Sequence, residues 1–407
     1  MYVRRLSLTN FRAYRRLELL LPTGTVVLAG RNAQGKTSLL EAVYVLATTR
    51  APYGIPDRQL LSWGAEDEVM PFTRVAGDVV RAEAQDAIEV VSVRESASMD
   101  DAAVKRVRIN HAARRAIDAI GTLTVVLFTP RDLDVVSGPP AERRRYLDAL
   151  LCQIDRDYCR RLVRYNRLIT QRNHLLRRLR DRGGAPDELA FWDEKLADDG
   201  GHIVARRTAA VADLAEAAAA LHARLAPEDA PLHASYASSL GHDAPSGGDP
   251  GAWVAALRAA LAARRDESIA RGMTTVGPHR DDLALALGPI DVRTFASRGQ
   301  QRTVALAIKL AEAELMLAAT GERPVLLLDD VLSELDPDRR RDLLALLDGH
   351  QQTLITTTEP AILPAGFLAG ALVLHVAGGE VVGAERDGTA VALPVERAQD
   401  EPRAAPA

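Results

Sequence analysis

The chain has 407 residues, 47% of them apolar and 26% charged, with a formal net charge of −4. This is the composition of a globular protein large enough for two domains. It excludes binding to nucleic acid through bulk positive charge, so any such surface must come from local segregation of arginines. The apolar runs are too short to span a bilayer. Cys152 and Cys159, the two cysteines, lie seven apart and offer neither a metal-site spacing nor a disulfide framework, so both read as free thiols. The opening MYVRRLSLTNFRAYRRLELLL has arginines scattered through it and reads as strands rather than a signal peptide. The cytoplasm is the expected location.

The first 140 residues read as mixed α/β. Strands are expected at Tyr2 to Leu8, Leu17 to Leu21 and Thr25 to Ala29, and the run KTSLLEAVYVL from Lys36 has helical periodicity. Val69 to Val80, Ile88 to Arg94 and Val104 to Ile109 read as an antiparallel layer, and Thr124 to Phe128 as a further apolar strand. From Glu142 to about residue 180, apolar positions recur at steps of three and four, from Leu147 through Tyr158 and Tyr165 to Ile169. One helix is expected there, a second from Glu188 to Leu225, and a third ending near Gly272 after the gap LGHDAPSGGDPG. The α/β pattern resumes near Thr274, with helices at about 300–318 and 337–348, strands at Pro324 to Leu328 and Thr353 to Thr357, and a hairpin near 371–382. The tail VERAQDEPRAAPA reads as disordered. These elements divide the chain into an N-terminal α/β lobe at 1–141, an inserted helical arm at 142–273, the remainder of the α/β part at 274–390 and a tail at 391–407.

Gly30-Arg31-Asn32-Ala33-Gln34-Gly35-Lys36-Thr37, followed by Ser38, fits the phosphate-binding pattern G-x-x-x-x-G-K-[ST] between a strand and a helix. Backbone N–H groups of such a loop wrap phosphates, Lys36 reaches the outer ones, and the Thr37 hydroxyl can ligate Mg²⁺. In Val325-Leu326-Leu327-Leu328-Asp329-Asp330, four apolar residues form a buried strand that delivers two carboxylates at its C-terminal end. Asp329 is assigned to Mg²⁺ and Asp330 to the attacking water, which makes Lys36, Asp329 and Asp330 the expected catalytic set on ATP. Ser297-Arg298-Gly299-Gln300-Gln301-Arg302 precedes these aspartates by about 27 residues. Taken alone it reads equally as a helix cap.

Together GxxxxGKT, SRGQQR, VLLLDD and SELD resemble the ABC-type ATPase heads of the SMC-like group. Within that group the chain is most similar to the RecF family. The similarity runs through Asn10-Phe11-Arg12, FTPRDLDVVSGPPAERRRYLD at 128–148, VGPHRDD at 276–282, SRGQQRTVALAIKLAE at 297–312 and LLLDDVLSELD at 326–336. It implies an α/β ABC-type head with a mixed sheet lobe and an inserted helical arm. It also implies a homodimer closed on ATP, in which Ser297, Gly299 and Gln300 of one copy cap the γ-phosphate held by the other, and a nucleotide contact for Arg12. Slow, DNA-stimulated hydrolysis in recombinational repair and replication would follow, with help to recombinase loading and the SOS response and with RecR and RecO as partners. Three positions depart from common ABC patterns. Asp330 stands for a glutamate, Thr356 to Thr358 stand for a histidine, and no glutamine occurs at 128–132, where Arg131 replaces the acid usual in the family.

Between Glu142 and Arg182 there are 13 arginines against five acidic residues. Arg160, Arg164 and Arg167 share a helical face, and Arg172, Arg177, Arg178, Arg180 and Arg182 continue the run. This is a candidate surface for duplex or gapped DNA, although a charge run is also the ordinary pattern of a solvated helix. His279 reads as structural, and Arg280 as a partner of Asp281 or Asp282. Two rival readings are a chromosome-organising SMC-like ATPase, which a long rod would favour, and an ABC-type transport subunit, which association with membranes would favour.

Overall fold

The computed structural model describes residues 1–62, 65, 70–94, 104–347 and 349–394. Val69, read as the start of a strand, and the tail from 395 lie outside the described residues. The chain forms two compact units, Met1–Pro130 with Met316–Ala407, and Arg131–Leu315.

The first unit holds two sheets. One is antiparallel throughout, in the spatial order Tyr14–Leu20, Tyr2–Phe11, Phe72–Val80, Gln85–Val93, Val104–Ile109 and Ala112–Arg114. The other has a parallel core of Leu372–Ala377, Gly24–Ala29, Gln352–Thr357, Val325–Asp329 and Val125–Phe128, extended at one edge by antiparallel Glu380–Arg386 and Thr389–Ala390. The helix Lys36–Thr48 shares one core with both sheets, burying Leu39, Leu40, Val43 and Leu46 with Leu6, Leu8, Val26, Leu28, Leu327 and Leu354. A strand covered on both faces reads as an unbroken apolar run, and Val325 to Leu328 are all fully buried.

The second unit is mainly helical. The segment read as one helix from 142 is two, Pro140–Ile154 and Arg156–Arg182. Asp155 breaks the run in extended geometry and caps the second helix, its carboxylate accepting from the Tyr158 N–H at 2.9 Å. The next helix, Ala190–Leu225, has 36 residues. Gly200 and Gly201 lie in its middle, although each costs about 1 kcal/mol there. A Cβ on Gly201 would stand 2.5 Å from the Val254 nitrogen, so the helix Pro250–Ala263 can approach only a bare backbone. A short helix, Arg265–Arg271, ends at left-handed Gly272. The strand Leu232–Ala237 pairs with Asp282–Leu287 in a small third sheet, and its sequence signal is faint because its partner lies some fifty residues downstream. Cys152 and Cys159 form no disulfide with each other.

Candidate functional site

The loop that follows the strand Gly24–Ala29 is shaped by close approaches that exclude side chains. A Cβ on Gly30 would meet the Val376 carbonyl oxygen at 2.3 Å, and Gly35, at φ +108°, lies under the Tyr14 ring. The Tyr14 hydroxyl donates to the Gly35 carbonyl at 3.1 Å, and burial pushes its pKa upward. Gln34 ties the loop to the turn at Gly378 and Gly379, whose N–H groups donate to its side-chain oxygen at 2.8 Å and its backbone carbonyl at 3.0 Å. Neither Tyr14 nor this turn was expected at the site. Tyr14 comes from the antiparallel sheet, and the turn, between the strands Leu372–Ala377 and Glu380–Arg386, lies 344 residues beyond Gln34.

Lys36 is buried, and its ammonium donates to the carbonyls of Gly30 at 2.6 Å and Arg31 at 2.9 Å. Desolvation lowers its pKa, while the charges of Asp330 and Asp329 act to raise it. Thr37 donates to Asp329 Oδ1 at 2.8 Å, and the Thr356 hydroxyl donates to the same oxygen at 2.8 Å. Burial raises the pKa of Asp329, against the lowering effect of these two hydroxyls. Asp330 adopts left-handed backbone geometry at φ +53°, and its N–H donates to Thr356 Oγ1 at 2.9 Å. Asn32 to Ser38, Asp329, Asp330 and Thr356 line a cavity of about 340 Å³, together with Ala13 and Pro130.

The donor set fits Mg²⁺. That ion takes hard oxygen ligands, keeps waters and shares substrate phosphates, so one hydroxyl beside one carboxylate is the usual protein share. No cluster of three or more acidic, histidine or cysteine residues occurs among the described residues, and this kind of site does not require one.

Several residues stand otherwise than expected. Arg12 does not line the cavity. Its guanidinium grips Glu41 at 2.8 and 3.0 Å and donates to the Gln59 carbonyl at 2.9 Å, while the neighbouring Ala13 forms the wall. Thr356 and Thr357 do not hold their hydroxyls ready for a phosphate. The first serves the two aspartates and the second donates to the Glu359 carbonyl at 3.1 Å. Thr358 is exposed.

In the second unit, Ser297 and Gln300 form a reciprocal cap. The Gln300 N–H donates to Ser297 Oγ at 3.2 Å and the Ser297 N–H to Gln300 Oε1 at 3.0 Å. Gln300 Nε2 also donates to Asp229 at 2.9 Å. In the first unit, Ser333 donates to the Asp330 carbonyl at 2.8 Å. Arg340 there pins the loop after the aspartates through the carbonyls of Leu332 and Leu335, each at 2.9 Å.

The arginine run is largely engaged within the protein. Arg172 is fully buried against Asp193 and Thr274, at 2.8 and 2.9 Å, and so leaves the expected DNA surface. Buried Arg143 pairs with Asp282, Arg164 with Asp199, and Arg178 with Glu188. Arg167, Arg177 and Arg182 are exposed and stand outside these pairs. Arg280 donates to the Thr274 carbonyl rather than to Asp281 or Asp282. His279 is structural, as read. Its Nε2 donates to the Thr274 carbonyl at 3.2 Å and its Nδ1 accepts from the Tyr165 hydroxyl at 2.8 Å. Burial pushes its pKa down to about 4.

Residues 2–366 match the family described as the RecF/RecN/SMC N terminal domain. The DNA replication and repair protein RecF of Chloroflexus aurantiacus is 47% identical over 94% of this chain and 99% of its own length. That of Roseiflexus castenholzii is 48% identical over 88% and 93%. A solved structure of the recombination mediator protein RecF-ATPrS in the RecFOR pathway is 30% identical, with a TM-score of 0.83 over 96% of this chain and 98% of that one. The Smc head domain of Pyrococcus furiosus, at 13% identity and a TM-score of 0.50, is similar in fold. A strand-flanked phosphate loop, two aspartates at the end of a buried parallel strand and similarity along nearly the whole length place the chain in the RecF family, with an α/β ABC-type ATPase head.

Proposed function

We propose that the chain is an ATP-dependent DNA-binding protein of recombinational repair and replication. In this reading two copies close on ATP to form a clamp on duplex or gapped DNA. One observation carries the reading: Lys36, Thr37, Asp329 and Asp330, from segments almost 300 residues apart in sequence, surround one cavity. Lys36 donates to two loop carbonyls, and phosphate oxygens are the natural replacement for them. Thr37 and Asp329 would hold Mg²⁺, which neutralises charge on the phosphates. Asp330, one methylene shorter than a glutamate, positions the attacking water, and slow turnover stimulated by DNA suits a timed clamp. Ser297, Gly299 and Gln300 reach the γ-phosphate of the second copy. Exposed Arg167, Arg177 and Arg182 contribute salt-sensitive phosphate contacts. RecR and RecO as partners are suggested by the RecFOR pathway named for the solved relative, and recombinase loading and SOS induction are what the family resemblance implies. Among the described residues no helix is long and apolar enough to cross a membrane.

The test is affinity for a gapped duplex at two salt concentrations, with no nucleotide, ADP or ATP, for the wild type and Lys36→Ala. Tight, salt-sensitive binding that requires ATP and is lost in K36A is expected. Binding indifferent to ATP and to K36A would sever the nucleotide site from the DNA site and sink the clamp.

A further inference from the structure

Thr356 occupies the end of the strand Gln352–Thr357, which lies between the strand that carries the two aspartates and the strand that leads into the phosphate loop. Its Cα partner in the neighbouring strand is Asp329. The side chain is 1% exposed, so its hydroxyl has no access to bulk water and must find partners within the protein. It finds two. The hydroxyl hydrogen goes to Asp329 Oδ1 at 2.8 Å, and the oxygen accepts the Asp330 N–H at 2.9 Å.

We infer that Thr356 is the positioning residue for both aspartates, orienting the metal-binding carboxylate of Asp329 and holding Asp330 in its left-handed geometry. The inference rests on the assignment of Mg²⁺ to Asp329 and of the water to Asp330. Thr37 and Thr356 now share Asp329 Oδ1. A Thr37 hydroxyl that ligates a metal ion through its oxygen keeps its hydrogen for Asp329 but is then placed by the ion as well, whereas Thr356 is bound to the two aspartates alone. Thr356 also sets the backbone of Asp330, since an aspartate at φ +53° persists only where its surroundings fix it. Serine keeps both hydrogen bonds. Valine keeps the shape and β-branching and loses both.

The experiment compares wild type, Thr356→Val, Thr356→Ser and Lys36→Ala by binding of a fluorescent ATP analogue, first in EDTA and then across a Mg²⁺ titration. Thermal unfolding is measured in parallel. Residues that orient metal ligands typically contribute about 10–100-fold in metal affinity. T356V should therefore raise the Mg²⁺ concentration for half-maximal effect by roughly tenfold or more and keep a cooperative melt. T356S should restore the Mg²⁺ response. A Mg²⁺ midpoint in T356V within about twofold of wild type, or a T356S response as poor as that of T356V, would overturn the inference. If T356V fails to give a cooperative melt, the T356S response alone decides. Nucleotide binding untouched by K36A would instead bring down the nucleotide-site reading on which the inference rests.

Discussion

Arg172→Ala separates structural from DNA-binding arginines. In the folded unit the Arg172 guanidinium is fully buried, and it meets Asp193 through Nε at 2.8 Å and through Nη2 at 2.7 Å. Nη1 donates to Thr274 at 2.9 Å, and Asn173 holds Thr274 through two further hydrogen bonds of 2.8 Å. Truncation leaves the buried Asp193 carboxylate with Arg265 alone, at 3.2 Å. Breaking one partner of a buried pair costs about 3–5 kcal/mol. At about 2–4 °C per kcal/mol for a unit of this length, the melting temperature of the arm unit should fall by about 6–20 °C. A chain of two units need not unfold in one step, so the arm is followed by Trp192 and Trp253 fluorescence in a Trp63→Phe background. The double variant Arg172→Met, Asp193→Leu should recover much of the loss, because it removes the stranded charge along with its partner. A fall of less than about 1 kcal/mol in R172A, with a weakened and less salt-dependent affinity for DNA, would show that Arg172 serves phosphate and that this reasoning is wrong.

Asp330→Asn should lower ATP turnover by about 10²–10⁴-fold while nucleotide affinity stays within a few-fold, as single-turnover kinetics beside equilibrium binding would show. Ser297→Asp keeps a good N-cap residue but sets a carboxylate where a γ-phosphate would arrive. Its melting temperature should match wild type while ATP-dependent association in sedimentation disappears, and unchanged association would refute the phosphate role of Ser297. The folded unit holds His279 neutral, with its pKa pushed down to about 4 by burial, whereas the unfolded chain takes up that proton near pH 6.5. The unfolded state thus binds more protons in that window, and stability falls as pH falls from about 6.5 to about 4, by up to about 3 kcal/mol. His279→Gln should flatten that part of the stability–pH curve measured by urea unfolding.

The phosphate loop was legible because its chemistry is contiguous: eight successive residues fix both the turn and the ligand. The two aspartates were legible because four buried apolar residues announce a strand whose end is functional. The arginine run was misleading for the converse reason. Arg143 meets Asp282, and Arg172 reaches Asp193 and Thr274, partners set by packing across long stretches of chain. Thr356 was noticed for the histidine it replaces, yet its partners lie in the adjacent strand and depend on register. The helix break at Asp155 escaped notice because the apolar spacing continues through it, and only the extended backbone of one residue interrupts the turn.

The capped form of Ser297 and its proposed role at a phosphate are compatible, and the hydrogen positions show why. In the cap the Ser297 oxygen accepts from the Gln300 N–H, and a hydroxyl that accepts still has its own hydrogen to donate. The Gln300 side chain is likewise fixed at both ends, with Oε1 on the Ser297 N–H and one amide hydrogen on Asp229, leaving its second amide hydrogen to give. An approaching γ-phosphate therefore does not have to break the cap to be bound. The cap holds the donors in place beforehand, and the ordering cost that would otherwise weaken association has already been met in folding. A closure of the proposed kind would depend on the phosphate itself, because it is the acceptor for the two remaining donors.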